Sequence, residues 1–152
     1  MQAFKNILIP TDFSSAAWNA VHLGSSMAKE GYTEITLLHV FPSSAKFDSR
    51  KGELDLQDLD AIDEIKLQMD AFCMDLHSQY KVKFHPVILG GAVHEEICQH
   101  IRENDFDLVI IGVNSNGVDN RPGSHTSEII ANCHTPVLIA PNNLVNAKTL
   151  VA

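Results

Sequence analysis

The sequence predicts an α/β domain: an open five-stranded parallel sheet with helices on both faces. Two observations carry that expectation. Five short apolar runs (NILIP, EITLLHV, KVKFHPVIL, LVII and PVLIA) alternate with stretches of helical periodicity along the chain. Most of these runs are apolar at consecutive positions rather than at every second one, the pattern of strands buried on both faces. At 152 residues, one domain spanning residues 1–152 is expected.

The elements follow in order. Asn6 to Pro10 is a buried strand stopped by Pro-Thr-Asp. From Ser14 to Glu30 a helix places Ala17, Ala20, Val21, Gly24, Met27 and Ala28 on one face, with Asp12 or Ser14 as its cap and Gly31 as its end. Glu34 to Val40 is the second strand. The connection PSSAKFDSRKGE after it is polar and reads as an irregular, mobile loop.

A long amphipathic helix is expected from Leu54 to about Tyr80, on Leu59, Ile62, Ile65, Met69, Phe72, Cys73, Leu76 and Tyr80. Lys81 to Leu89 is the third strand, and Pro86, which has no N–H, argues for an edge position. Gly90-Gly91 then turns the chain into a short helix carrying Val93, Ile97 and Ile101. Leu108 to Ile111, Ser124 to Cys133 and Pro136 to Ala140 supply the fourth strand, fourth helix and fifth strand.

Composition excludes several classes. The net charge is −8, and the 11 Lys and Arg residues are scattered, so neither nucleic acid nor an anionic membrane is an expected partner. No apolar run approaches the roughly 18 residues of a membrane span, and MQAFKNILIP lacks the form of a signal peptide. A cytoplasmic location is expected. Cys73, Cys98 and Cys133 form no CxxC pair and read as buried reduced thiols. His94 to His100 (HEEICQH) cannot focus its histidines on one metal and reads as a solvated acidic helix face. No catalytic triad or paired carboxylate is legible, so neither catalytic nor metal-ligating residues are assigned.

In open α/β sheets ligands sit beyond the carboxyl ends of the strands, and Asp12, Val40, Gly90 and Gly112 fall there. The loops at those ends exclude some families. PTDFSS after the first strand contains no glycine, so it is not a dinucleotide loop, and no GxxxxGK[ST] occurs. A flavodoxin phosphate loop is missing at the same turn. So are the acidic pair, the Asp and the Lys that a response regulator would carry at these strand ends.

The pieces KNILIPTDFSSAA, EITLLHV, GGAVHEEI and DLVIIG…GS…TPVLIAP, in this order, resemble the universal stress protein family over nearly the whole chain. The resemblance implies a strand order of 3-2-1-4-5, an adenine nucleotide alpha hydrolase-like fold, and a homodimer formed through the last strand. Some members of that family bind ATP through a G-x2-G-x9-G-[ST] pattern after the fourth strand, and others lack it. Here Gly112 matches the first glycine and Gly123-Ser124 the last pair. The second glycine falls on Ser115, with Gly117 two places late, and ten residues rather than twelve separate Gly112 from Gly123.

Gly112 would let the backbone approach a ribose. Ser124, His125 and Thr126 would offer helix N-terminal amides to a phosphate, and Asn114, Asn116 and Gly117 tolerate the positive φ that aims amides at an anion. Arg121 would be a further phosphate partner, against the commoner case of a solvated loop arginine. Against this stands a plain loop that caps the fourth helix through Ser124. The resemblance implies that Pro10-Thr11-Asp12 forms the adenine-side turn, with the Asp12 carboxylate reading the base and the Val40 backbone contacting it. Asp12 is equally read as a helix cap and Val40 as a core residue, while a surface histidine is the favoured reading of His125.

The function expected is an adenine-nucleotide sensor or switch, taking ATP or another adenine nucleotide with Mg2+ or Mn2+. The alternatives are a dimeric interaction protein without nucleotide and a slow ATPase. For the last, Glu128 is the one base on offer, and it is expected to face solvent or support its helix.

Overall fold

The computed structural model describes residues 3–43, 46–48, 50, 59–113 and 124–141. It contains β1 (Asn6–Pro10), α1 (Ser15–Met27), β2 (Glu34–Pro42), β3 (Phe47–Asp48), α2 (Leu59–Gln79), β4 (Lys83–Gly91), α3 (Val93–Glu103), β5 (Leu108–Gly112), α4 (Ser124–Asn132) and β6 (Val137–Ala140). The sheet runs β3-β4-β2-β1-β5-β6. Its five main strands are parallel, in the order expected.

The sixth strand corrects the sequence reading. Phe47 and Asp48, assigned to an irregular loop, pair antiparallel with Gly90 and Leu89. The reason lies in Gly90. Its missing side chain leaves a slot that the Phe47 ring fills, and a Cβ there would collide with the ring. For the same reason Gly90 and Gly91 do not turn the chain; they complete β4, where Gly91 still pairs with Pro42 of β2. Pro86 does stand on an open edge, since β3 covers β4 only at Leu89 and Gly90 among the described residues.

Alternation along the strands feeds two cores. Ile7, Ile9, Ile35 and Leu37 face α1 and α2, meeting Ala20, Val21, Met69, Phe72 and Leu76. Leu8, Leu38, Val40, Val109 and Ile111 face the other way, against Ile97, Ile101 and Ile129 of α3 and α4. Complete burial of one such side chain stabilises by about 1.5–3 kcal/mol, and most of these strand residues are buried completely or nearly so. Helix α1 lies close on the sheet because Gly24 is there: a Cβ would sit 2.9 Å from Ile9 Cδ1 and 3.1 Å from Ile110 Cδ1.

Helix α1 ends at Met27, short of the expected Glu30. Ala28 is already extended, and Gly31 serves the following turn at φ +78°. The start of α2 expected at Leu54 lies outside the described residues, and its apolar stripe from Ile62 to Leu76 packs as predicted.

Candidate functional site

The chain leaves β1 for β2 on one side and later reaches β5 on the other, so the strand order reverses at β1. Among the described residues no strand fills the gap beyond its carboxyl end, the place where open α/β sheets hold ligands. A cleft of about 540 Å³ opens there. Six of the ten residues expected at the site line it: Pro10, Thr11, Asp12, Val40, Gly112 and Thr126. Gly117 and Gly123 lie outside the described residues. Ser124 and His125 open α4, and their side chains are likewise outside the description.

The β1–α1 turn is tightly bonded. The Thr11 amide donates to the Leu38 carbonyl at 2.7 Å, the Phe13 amide to Thr11 Oγ1 at 3.1 Å, and the Ser14 amide to Asp12 Oδ1 at 3.0 Å. Ser14 Oγ in turn accepts from the Ala17 amide at 3.3 Å and is the N-cap of α1. The two expected caps therefore divide the work: Asp12 closes the turn and Ser14 caps the helix. Asp12 stays exposed, and its second oxygen has no hydrogen-bond partner among the described residues.

Val40 owes its position to register. Leu38 pairs with Pro10, the last residue of β1, and turns its carbonyl toward Thr11. Successive residues of a strand direct their amides and carbonyls to opposite sides. Val40 thus points both groups toward β1 as Leu38 does, but past the place where β1 has stopped. They face the cleft.

Gly112 has a structural duty of its own. A Cβ at this position would collide with the Ala16 carbonyl in the first turn of α1. The glycine is therefore required for packing whether or not a ligand approaches. On the far wall, buried Thr126 in the first turn of α4 lines the cleft. The first amides of a helix lack intrahelical acceptors and carry its positive end.

Sequence reading missed His39 and the apolar wall. His39 donates from Nδ1 to the Thr11 carbonyl at 2.8 Å and stacks on Phe13, whose φ of +64° is the one positive value at a non-glycine among the described residues. A histidine directly after the buried pair Leu37-Leu38, at the carboxyl end of the strand, was the signal for it. Leu38, Val93, Ile97, Ile111 and Ile129 form the wall; the sequence places them only in apolar strand runs and helix faces, and an apolar face that is half core and half cleft shows one periodicity.

The stretch from His94 to His100 also needs correction. Glu96 and His100 are buried, not solvated. They face a second, polar cleft of about 290 Å³ between α3 and β3, where Lys46 Nζ stands 3.1 Å from Glu96 Oε1 and donates to Gln99 Oε1 at 3.0 Å. Burial, and then the nearby Arg50 guanidinium, hold the His100 imidazole below its usual pKa. Glu128 is exposed and accepts from Asn132 Nδ2 on its own helix, as a helix support would. Among the described residues no helix is long and apolar enough to cross a membrane.

The sequence model described as the universal stress protein family matches residues 3–141. The chain belongs to the universal stress protein family. A universal stress protein of Methanocaldococcus jannaschii is 25% identical over 146 residues, covering 90% of this chain and 81% of that protein. Among solved structures, a universal stress protein in complex with cAMP matches with a TM-score of 0.67 at 15% identity, over 93% of this chain and 99% of the other. A universal stress protein family protein from Arabidopsis thaliana with AMP bound matches at 0.61 and 17% identity, over 93% and 94% of the two chains. At these identities the structures establish the shared fold.

Proposed function

We propose that the cleft at the end of β1 binds an adenine nucleotide and that the protein works as a nucleotide-responsive sensor or switch, not as an efficient enzyme. The observation that carries this reading is the convergence of Asp12, the Val40 backbone, Gly112 and the start of α4 on one gap with an apolar wall. A flat base fits against Ile97, Ile111 and Ile129. The free Asp12 oxygen would accept from an exocyclic amine, and the Val40 amide and carbonyl would serve as donor and acceptor. Phosphates would then extend toward Ser124, His125 and Thr126, where the helix end favours negative charge by about 0.3–2 kcal/mol. The relatives solved with AMP and with cAMP support the adenylate class.

Asp12 is the one carboxylate among the described residues that line the cleft. It suits a Mg2+ or Mn2+ ion held chiefly by phosphate oxygens. Among the described residues no second acid stands beside it to activate water, and on that ground we expect slow hydrolysis. Net charge of −8 makes a small nucleotide, not a nucleic acid, the expected ligand. Three free cysteines suit a reducing cytoplasm.

Thermal denaturation with Mg-ATP tests the reading. Ligand at about 100 times its Kd stabilises by about 2.7 kcal/mol, a rise of roughly 5–10 °C at this chain length. No shift at several millimolar ATP would sink it, and a shift that survives Ser124→Glu would place the phosphates away from the start of α4.

One observation favours a second reading, a dimeric interaction protein without nucleotide: Gly112 is already demanded by Ala16. In either case we propose that two copies pair through β6. This edge strand is short and apolar, and it carries neither proline nor charge to blunt it. Pro136 and Ala140 turn their carbonyls to β5, so Ile139 directs its amide outward. Ile139→Pro should leave the sheet intact and convert a sedimenting dimer into a monomer.

A further inference from the structure

Helix α2 buries one face against the sheet through Ile62, Met69, Phe72, Cys73 and Leu76. Its opposite face carries a second apolar seam that is left exposed. Leu67 is 71% exposed and Met74 73%, far above Tyr32 and Ile130 at 44%, the other exposed large hydrophobic residues among those described. Seven residues make nearly two helical turns, so Leu67 and Met74 stand one above the other. Exposed Ala71 lies between them on the same stripe.

The seam is framed by carboxylates. Asp63 and Asp70 flank it on one side and Glu64 and Asp75 on the other, all exposed, with Asp60 at its head. No ion pair involves any of these five acids among the described residues. Helix propensity does not account for the pattern, since Lys, Gln and Glu serve an exposed helix as well as Leu and Met do. A second copy of this chain fits poorly, because acid would face acid across the contact and each chain carries −8. An anionic lipid surface is repelled for the same reason.

We infer that this face of α2 is a docking surface for a partner protein's basic amphipathic helix: aliphatic side chains seat on Leu67, Ala71 and Met74, while Lys or Arg on both flanks meet the acids. The distance from Asp60 to Ser78 accommodates a helix of about 27 Å. Aliphatic anchors give the contact its lifetime, and the paired charges give it orientation and encounter rate.

A labelled helical peptide of about 18 residues, with Leu along one face and Lys on either side, is the probe. Fluorescence anisotropy against the whole protein should give saturable binding. A peptide of the same composition, scrambled to erase the apolar face, should bind at least about tenfold more weakly. Leu67→Gln with Met74→Gln, both exposed and so without cost to the core, should weaken the designed peptide by about tenfold at unchanged Tm. Neutralising Asp63, Glu64, Asp70 and Asp75 to their amides should remove most of its salt dependence. Equal binding of the scrambled peptide, or full binding by the double Gln variant, overturns the proposal in favour of unspecific charge attraction. Dissociation of a homodimer by the double Gln variant overturns it in favour of a second copy. A gain in probe affinity on removing residues 142–152 overturns it in favour of the chain's own tail.

Discussion

The α-carbon of Gly112, at the end of β5, packs directly against the carbonyl of Ala16 in the first turn of α1. This contact fixes how closely the helix approaches the cleft mouth, so Gly112→Ala must push α1 away or strain β5. Inserting a methyl into a packed contact costs about 1–3 kcal/mol, a fall of roughly 2–12 °C in Tm at this length. Thermal denaturation without any nucleotide should show the full loss. An unchanged Tm would mean that the glycine is there for a ligand alone.

Asp12 has two separable duties. One oxygen closes the turn on the Ser14 amide, and the other is open to the cleft. Asp12→Asn keeps an acceptor for Ser14, so stability should change by less than about 0.5 kcal/mol, while nucleotide affinity falls about tenfold. Asp12→Ala should lose affinity and also about 1 kcal/mol of stability. Calorimetric titration beside urea unfolding separates the two. Equal affinities for wild type and Asp12→Asn would remove the carboxylate from base recognition.

Most of the sheet was legible because buried parallel strands are written as unbroken apolar runs, and Leu108 to Ile111 admits little else. Phe47–Asp48 was not. Two residues carry no period, and the reason they pair, the open slot at Gly90, belongs to a residue forty-three positions later. The turn from Pro10 to Asp12 was recognisable by its residues, and Gly112 by its place after a strand. His39 and the Ile97–Ile129 wall were hidden, since nothing local distinguishes an isoleucine facing a core from one facing a cleft. Glu96 and His100 misled for the opposite reason: charged residues on a helix usually face water, and only the fold brings Lys46 and β3 over them.

The three thiols should differ sharply in reactivity. Burial, and then the Asp70 carboxylate, push Cys73 up to about 11, and burial raises Cys98 as well. Thiolate is the reacting form, and both side chains are closed off from solvent. Cys133 is only half-buried, its Sγ set beside Thr135. With iodoacetamide at pH 8, peptide mapping should find Cys133 modified at least about tenfold faster than the others. Labelling of Cys73 and Cys98 should wait for denaturant. Equal labelling of all three in the native protein would contradict the packing of α2 and α3.

His100 gives stability a defined pH dependence. Its folded-state pKa lies below the ordinary 6.5, lowered first by burial and then by Arg50, with Asp48 and Glu103 opposing. Above pH 6.5 the imidazole is neutral in both states and contributes no slope. As pH falls below 6.5 the unfolded chain takes up a proton that the folded protein refuses, so stability drops until the folded pKa is reached. The Tm of wild type should therefore decline between pH 6.5 and 5 more steeply than that of His100→Gln. Parallel curves for the two proteins would mean that His100 is not held neutral.

Trp18, the only tryptophan in the chain, is wired to the cleft through rings. Its ring centroid lies 4.2 Å from that of Phe72, which meets Phe13 edge-on at 5.9 Å, and Phe13 stacks on His39 at 5.0 Å. Phe13 sits in the left-handed region at φ +64°, a conformation that costs about 1–2 kcal/mol and persists because both of its neighbours hold it. A nucleotide drawing on Thr11 and Asp12 would shift the Phe13 ring, two contacts from the indole. Tryptophan emission should change saturably with Mg-ATP, at the same midpoint as the thermal shift. Phe72→Leu keeps most of the buried volume but breaks the ring contact, so the emission change should shrink by at least about half while affinity holds. An undiminished signal in Phe72→Leu would show that the indole senses the ligand by another route.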